Sequence, residues 1–272
     1  MHDCGFYVTK MGPLVWPQRL SCGDNQGMAN RSSAFLKRTY RRGYTVLDRH
    51  RHSGSYLALV LSGGYEEAGD RGCLRVQAGD VLLHGPFEAH LDRYDSSGGD
   101  VLDLALPFGV TCHQAAMRVP DPDAIIRTAQ RDPREAVAQV LAAMQPVERG
   151  VDDWPHRLAL AIESNLRLRL DAWASENHLA EATVSRGFRK VFGVSPSAYR
   201  AQQRARYATQ LAVSSRTRLD DLAQRLGFTD QAHMTRAVHA LTGVTPGVWR
   251  RRAREGQIDT RQLASPPVIM AE

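Results

Sequence analysis

The chain has 272 residues, of which 43% are hydrophobic, and a formal net charge of +6. This length allows two domains with separate cores. The sequence contains no apolar run of about eighteen residues and no apolar N-terminal signal segment, which argues against a membrane or secreted protein. Residues 156–256 contain 17 Lys and Arg against 8 Asp and Glu, whereas residues 1–155 contain 17 against 19. We therefore expect a cytoplasmic protein whose C-terminal part binds nucleic acid.

Residues 1–35 are predicted to form a mostly irregular N-terminal arm, because they are rich in Gly, Pro, Asn and Ser and show little periodicity. The four cysteines are scattered along the chain, without the spacing of a zinc finger or a CxxC motif. They are expected to be reduced thiols in a reducing compartment, with a redox-sensing pair as the alternative.

Short apolar segments separated by turn signals follow. They read YTVLD, YLALVLSGGY, CLRVQAGDVLLHGP and VLDLALP, with Gly63-Gly64 and Ala78-Gly79-Asp80 as turns. Closely spaced strands without a helical pattern between them predict an all-β sandwich or barrel.

Two motifs in this region resemble those of the cupins. His50-Arg51-His52 resembles the H-x-H element, and Gly79 followed by Pro86-Phe87-Glu88-Ala89-His90 resembles G-x5-P-x-G-x2-H, with Glu88 in place of the glycine and a slightly altered spacing. The resemblance implies a cupin-like jelly roll over residues 36–120 that binds an effector.

Alternation along a strand places His50 and His52 on one face, where His90 from a facing strand can meet them. Three imidazoles can hold Zn²⁺ or another divalent metal. Metal-binding cupins carry a glutamate four or five residues after the second histidine, but Tyr56 and Leu57 stand there. Three interpretations stay open: an effector pocket of His50, His52, Tyr56 and His90 that needs no cofactor, a zinc site of His50, His52 and His90, or structural histidines. His84 is a further pocket candidate.

A helical segment is predicted over residues 121–154. Val137, Val140, Leu141 and Met144 follow helical spacing within Asp121–Gln145. This stripe is expected to pack against the β-domain or to form a face between the protomers of a homodimer. Prolines and Gly150 between residues 145 and 155 predict a hinge.

The C-terminal region contains an internal repeat. VSRGFRKVFGVSPSAYR at Val184–Arg200 recurs as MTRAVHALTGVTPGVWR at Met234–Arg250. Each copy predicts an amphipathic helix, a glycine that ends it, and a Ser-Pro or Thr-Pro pair that starts the next helix. The unit is therefore helix, tight break, helix.

A short helix precedes each copy, in LDAWASENHLAE and in LDDLAQRLGFTD, so that each module is a helix-turn-helix. His178 stands in the first module where Gly227 makes the turn of the second, and Ala180 replaces a capping residue. A helix from Pro196 to about Ser214 joins the modules.

Two such modules joined by a helix resemble the AraC/XylS family of bacterial transcription regulators, most clearly at LGFTDQAHMTRAVHALTGVTP. The resemblance implies a double helix-turn-helix DNA-binding domain over residues 155–256, followed by a flexible tail at 257–272. We therefore expect an α+β multidomain fold: an N-terminal cupin-like β-barrel (jelly roll) with flanking helices and a C-terminal all-α domain.

The residues expected to face DNA lie off the buried stripe of each second helix. In the first module they are Glu181, Ala182, Thr183, Ser185, Arg186, Arg189 and Lys190, and in the second Gln231, His233, Thr235, Arg236 and His239. Arg186 is the first candidate for a base contact, and an internal salt bridge is the alternative for Arg186 and Arg236.

The resemblance implies a regulator that binds double-stranded promoter DNA, responds to a small-molecule effector, and acts as an activator that recruits RNA polymerase, without enzymatic activity. Three alternatives stay open. They are a metal-sensing regulator that uses His50, His52 and His90, a metal-dependent cupin enzyme, and an architectural DNA protein without an effector.

Overall fold

The computed structural model describes residues 36–106 and 115–256. The predicted N-terminal arm and C-terminal tail lie outside these ranges. Within them the chain combines an antiparallel sheet with a C-terminal helical domain, which confirms the predicted fold class.

The sheet is built around two long strands. The strands are β1 (Leu36–Arg41), β2 (Val46–Arg51), β3 (Tyr56–Gly69), β4 (Gly72–Gln77), β5 (Asp80–His84), β6 (Ala89–Ala105), β7 (Met117–Arg118) and β8 (Gln145–Pro146). The first half of β3 pairs with β5 and with the second half of β6, whereas its second half pairs with β4 and with the first half of β6. Strands β1 and β2 pair with the other edge of β6. Val60 in the first half of β3 and Val76 on β4, which pairs with the second half, belong to one core cluster. The sheet therefore forms two layers that enclose an interior.

Gly63 lies within β3, so the prediction of a turn at Gly63-Gly64 is wrong. The pairing register shifts here, and Gly63 has φ +68°. A Cβ at this position would lie 2.0 Å from the carbonyl oxygen of Gly98. The glycine therefore permits a bend in a continuous strand. The predicted turn at Gly79, with φ +88°, does separate β4 from β5.

Nine helices lie within the described ranges. They are α1 (Pro122–Arg131), α2 (Pro133–Ala143), α3 (Trp154–Ser164), α4 (Leu170–Glu176), α5 (Glu181–Phe192), α6 (Pro196–Ser214), α7 (Leu219–Arg225), α8 (Gln231–Thr242) and α9 (Pro246–Arg254). None of these helices is both long and apolar enough to span a bilayer.

The segment predicted as one helix from Asp121 to Gln145 is two helices. Asp132 is extended at the break, and its carboxylate accepts hydrogen bonds from the backbone N–H groups of Arg134 and Glu135. Pro133 at the first helical position favours this new start. Val137 and Val140 on α2 are buried against Leu57 and Leu104 of the sheet, so the predicted apolar stripe is covered within the chain.

The segment predicted as a hinge runs along the sheet. Arg75 N–H donates to the carbonyl of Arg149 at 2.9 Å, and Val151 N–H donates to the carbonyl of Cys73 at 3.1 Å. The helical spacing of Leu158, Ile162 and Leu166 predicts a helix from Arg157 to Leu170, but α3 ends at Ser164. The side chain of Asn165 accepts a hydrogen bond from Arg167 N–H in the break before α4.

The repeat forms the predicted helix, break and helix. Helices α5 and α8 end at Gly193 and Gly243, which have φ of +74° and +78°. Ser195 caps α6 through the N–H of Ala198, and Thr245 caps α9 through that of Val248. Both helix breaks therefore use the left-handed glycine and the capping hydroxyl that the sequence predicts.

The turns that precede α5 and α8 also share a backbone conformation. His178 has φ +55° and Gly227 has φ +74°. A side chain in this left-handed region costs roughly 1–2 kcal/mol. The first module therefore holds an exposed histidine in a conformation that suits glycine.

We expect His178→Gly to raise the free energy of unfolding by up to ~1 kcal/mol. Glycine removes the backbone strain of a left-handed residue with a side chain, and this gain exceeds the entropic cost of glycine in the unfolded chain. Gly227→Ala is expected to lower it by about 1 kcal/mol or more. Urea denaturation followed by circular dichroism measures both. A loss of stability in His178→Gly would contradict this account of the turn.

Candidate nucleic-acid interface and ligand cleft

Helices α5 and α8 each bury one stripe and expose the rest. Val184 and Phe188 of α5, and Met234 and Val238 of α8, are buried. Of the predicted DNA-facing residues, Thr235 is half-buried and the others are exposed. The two helices therefore present to solvent the faces that the sequence predicts for reading DNA.

Arg186 and Arg236 have no ion pair with a carboxylate in the described ranges, where the salt bridges of the helical domain involve other arginines. Both side chains are exposed. The structure thus gives no support to the alternative that these two repeated arginines form internal salt bridges.

A cleft opens between the two layers of the sheet. It brings together the four residues predicted to line an effector pocket. The ring centroids of His50 and His90 are 4.3 Å apart, those of His52 and His90 are 5.6 Å apart, and those of His52 and Tyr56 are 4.7 Å apart. Lys37 and Arg41 of β1, Tyr94 and Asp103 also line the cleft.

His90 makes two hydrogen bonds inside this cleft. Its Nε2 lies 3.0 Å from the hydroxyl oxygen of Tyr56, and its Nδ1 lies 2.9 Å from a carboxylate oxygen of Asp92. Burial lowers the pKa of His90, but the charges of Glu67 and Asp92 outweigh this effect and raise it. Both ring nitrogens of His90 are therefore engaged.

The predicted metal set fits only in part. The ligand nitrogens of His50, His52 and His90 lie within 4.8 Å of one another. His50 Nδ1 donates to the carbonyl of Asp48 at 2.8 Å, which leaves its Nε2 open. Burial and the two neighbouring imidazoles lower the pKa of His52 to about 4, so it is neutral at pH 7, as a ligand must be. However, both ring nitrogens of His90 already have hydrogen-bond partners, so His90 can join this set only by giving one of them up.

Sequence reasoning missed two acidic residues beside this set. Glu67 on β3 and Asp92 on β6 are both buried. Asp92 follows His90 by two positions, so strand alternation could have placed both on one face. Glu67 could not be chosen over Glu66, because the bend in β3 decides which of the two faces inward. His84 is buried in the same cluster, 3.6 Å from Glu67.

Helix α6 packs against the sheet through a buried arginine. The guanidinium of Arg206 lies 3.0 Å from Glu88 and 3.6 Å from Asp70, and all three side chains are at most 8% exposed. Arg49 of β2 also contacts Asp70, at 2.7 Å. Burial raises the pKa of Glu88, but Arg71 and Arg206 outweigh it and lower the pKa to about 2. The pair is therefore ionised at neutral pH.

Other elements of the helical domain contact the same layer of the sheet. The Tyr199 hydroxyl donates to the carbonyl of Gly69 at 3.2 Å, and Cys73 N–H donates to His156 Nδ1 at 2.8 Å. Arg93 of β6 donates to the carbonyls of Lys190 and Val191 near the end of α5. The ring of Phe87 lies edge-on to that of Trp249 on α9. Both helix-turn-helix modules are thus attached to the sheet.

Comparison with known proteins assigns the helical region. Residues 173–252 match the family model described as a helix-turn-helix domain. The chain is similar to the HTH-type transcriptional regulator ExsA of Pseudomonas aeruginosa, with 31% identity over 107 residues that make up 39% of this chain and 37% of that protein. It is also similar to the thermoregulatory protein LcrF of Yersinia pestis, with 31% identity over 78 residues, or 29% of each chain. The chain therefore spans well under half the length of these relatives.

Two solved structures resemble the chain more distantly. One is ToxT from Vibrio cholerae bound to an unsaturated fatty acid, with 10% identity, 82% of this chain and 97% of that chain covered, and a TM-score of 0.37. The other is the DNA-binding domain of the transcriptional factor AdpA in complex with a target DNA, with 23% identity, 39% and 100% covered, and a TM-score of 0.36.

We expect Arg206→Met to lower the free energy of unfolding by about 3–5 kcal/mol, because it leaves two buried carboxylates without this partner. Arg216→Met, at an exposed position just beyond α6, is the matched control and is expected to change stability by less than about 0.5 kcal/mol. Urea denaturation compares the two variants. Equal effects would show that the Arg206 network does not stabilise the fold.

Proposed function

We propose that this chain, whose residues 173–252 match a helix-turn-helix domain, is a sequence-specific transcription regulator of the AraC type that reads two successive major grooves of promoter DNA. One observation carries the proposal: two exposed helices, α5 and α8, follow matching turns in two modules that the single helix α6 joins. A continuous helix fixes the separation of the readers, which suits two grooves about one DNA turn, ~34 Å, apart.

The proposed readers are the exposed residues of these helices. Arg186 lies near the start of α5 and can donate two hydrogen bonds to the O6 and N7 atoms of guanine. Gln231 at the start of α8 can pair with adenine in the same way. Arg189 and Lys190, in the last turn of α5, suit contacts with the phosphate backbone.

The cleft in the sheet is the proposed effector pocket, lined by His50, His52, Tyr56 and His90. Its ligand would act on DNA binding through the contacts of the sheet domain with α5, α6 and α9, and not only through the segment predicted as a hinge. The proposal includes a cytoplasmic homodimer that acts as an activator and recruits RNA polymerase. A metal-sensing regulator is the second candidate, because imidazole and carboxylate groups lie close together in the sheet domain.

Selection of bound sequences from a random duplex pool tests the proposed function. The purified full-length chain is used at near-physiological salt, with and without a chelator. We expect an enriched motif with two segments about one DNA turn apart. Loss of enrichment on chelation would favour the metal sensor. Salt-sensitive binding without an enriched motif, in both arms, would contradict sequence-specific reading.

We expect Arg186→Ala to weaken binding to the selected duplex by ~1–3 kcal/mol, because a bidentate base contact is lost. Arg127→Ala on α1 removes an exposed arginine of the sheet domain and is the matched control, with little change expected. Fluorescence anisotropy at fixed salt measures both affinities. A loss of only a few tenths of a kcal/mol in Arg186→Ala would reject a base contact.

A further inference from the structure

Three acid and imidazole side chains form a second cluster behind the predicted histidine set. Glu67, His90 and Asp92 are all buried, and one ligand atom from each lies within 4.8 Å of the others. We propose that this inner cluster, and not the set of His50, His52 and His90, binds a divalent transition-metal ion. The inference concerns the sheet domain alone and holds whether or not the chain binds DNA.

The spacing of the ligand atoms fits coordination. With bonds of 2.0–2.2 Å, two neighbouring ligands of one ion lie about 3.0–3.6 Å apart. Glu67 Oε2 lies 3.5 Å from His90 Nδ1, and His90 Nδ1 lies 2.9 Å from Asp92 Oδ1. Small side-chain adjustments therefore place three donors around one ion.

Two buried atoms beside this cluster have no hydrogen-bond partner in the described ranges. They are Glu67 Oε2 and His84 Nε2, which lie 3.6 Å apart in side chains that are 7% and 6% exposed. An unpaired buried carboxylate oxygen costs considerable free energy. A cation at this position satisfies Glu67, and His84 can accept a hydrogen bond from water on the ion or bind the ion itself.

The charge of the cluster also favours a dication. Glu67 and Asp92 bind a cation as carboxylates and His90 as an imidazole, so a bound ion takes the place of protons that these groups otherwise hold. A divalent ion then neutralises the buried set. A mixed carboxylate and imidazole set suits Zn²⁺ and other first-row ions.

Tyr56 discriminates between the two sites. In the inner site His90 binds through Nδ1 while its Nε2–H donates to the Tyr56 hydroxyl, which holds the ring in place. This is the usual arrangement, in which the second ring nitrogen of a ligand histidine makes an outer hydrogen bond. If the outer set binds an ion through His90 Nε2, the bond to Tyr56 has to break.

Zn²⁺ titration of the full-length chain, stripped of metal and followed by calorimetry, tests the assignment. We expect one ion per chain, retained in His50→Gln and His52→Gln. Glu67→Gln and Asp92→Asn are expected to abolish this binding, and Tyr56→Phe to weaken it by ~10–100-fold. Binding that is lost in His52→Gln, or strengthened in Tyr56→Phe, would overturn the proposal.

Unaltered protein provides a second readout, because the buried Glu67→Gln variant can fail to fold. X-ray absorption of the zinc-loaded chain distinguishes the sites by ligand type. The inner site gives a mixed shell with one or two imidazoles and carboxylate oxygens, whereas the outer set gives three imidazoles. A shell of three imidazoles, or no zinc bound at micromolar concentration, would contradict the inner site.

Discussion

The buried charges around Arg206 determine how the helical domain sits on the sheet. Arg206 contacts Glu88 and Asp70, and Arg49 contacts Asp70 from the sheet side. Removing such charges from water is costly, so the network adds less stability than its short distances suggest. Its main effect is geometric, because only one placement of α6 pairs all of these charges. Sliding α6 along the sheet would leave buried ions without partners.

This placement also determines the position of the proposed readers. Helix α6 follows α5 after a break of three residues and packs with α7, α8 and α9 further along. The Tyr199 hydroxyl near its start and the Arg206 guanidinium further along both contact the sheet. Arg93 contacts carbonyl groups near the end of α5. The orientation of the first reader is therefore coupled to the sheet by hydrogen bonds as well as by apolar packing.

The sequence predicted local structure well where the backbone itself demands particular residues. The glycines at 193 and 243, the caps at 195 and 245, and the buried stripes of α5 and α8 all follow from local rules. The sequence predicts a turn at Gly63, but a left-handed glycine suits a turn and a β-bulge equally well. Only the pairing of β3 with β6 on both sides of Gly63 shows that it is a bulge. Likewise, the apolar spacing on both sides of Asp132 is compatible with one continuous helix, although Asp132 is extended and divides α1 from α2.

The candidate sites also contain residues that local patterns predict and residues that only the folded structure brings together. The exposed faces of the readers and the meeting of His50, His52 and His90 follow from helical and strand periodicity. Glu67 could not be found in this way, because its inward direction depends on the bend at Gly63. The domain interface was also beyond sequence reasoning, since Arg206 and Glu88 are 118 positions apart and resemble ordinary surface charges.

One departure from the cupin pattern now has a structural reason. Glu88 stands where the motif has a glycine, and its carboxylate is one of the two that Arg206 contacts. Its neighbours extend the connection: Phe87 contacts Trp249 of the second module, Ala89 N–H donates to Asp70, and His90 lies in the cleft. Four consecutive residues thus join the cleft to the joining helix and to the second module. A ligand that moved the His90 backbone would therefore disturb the buried ion pair two residues away, which gives the sheet a direct physical route to the proposed reader helices.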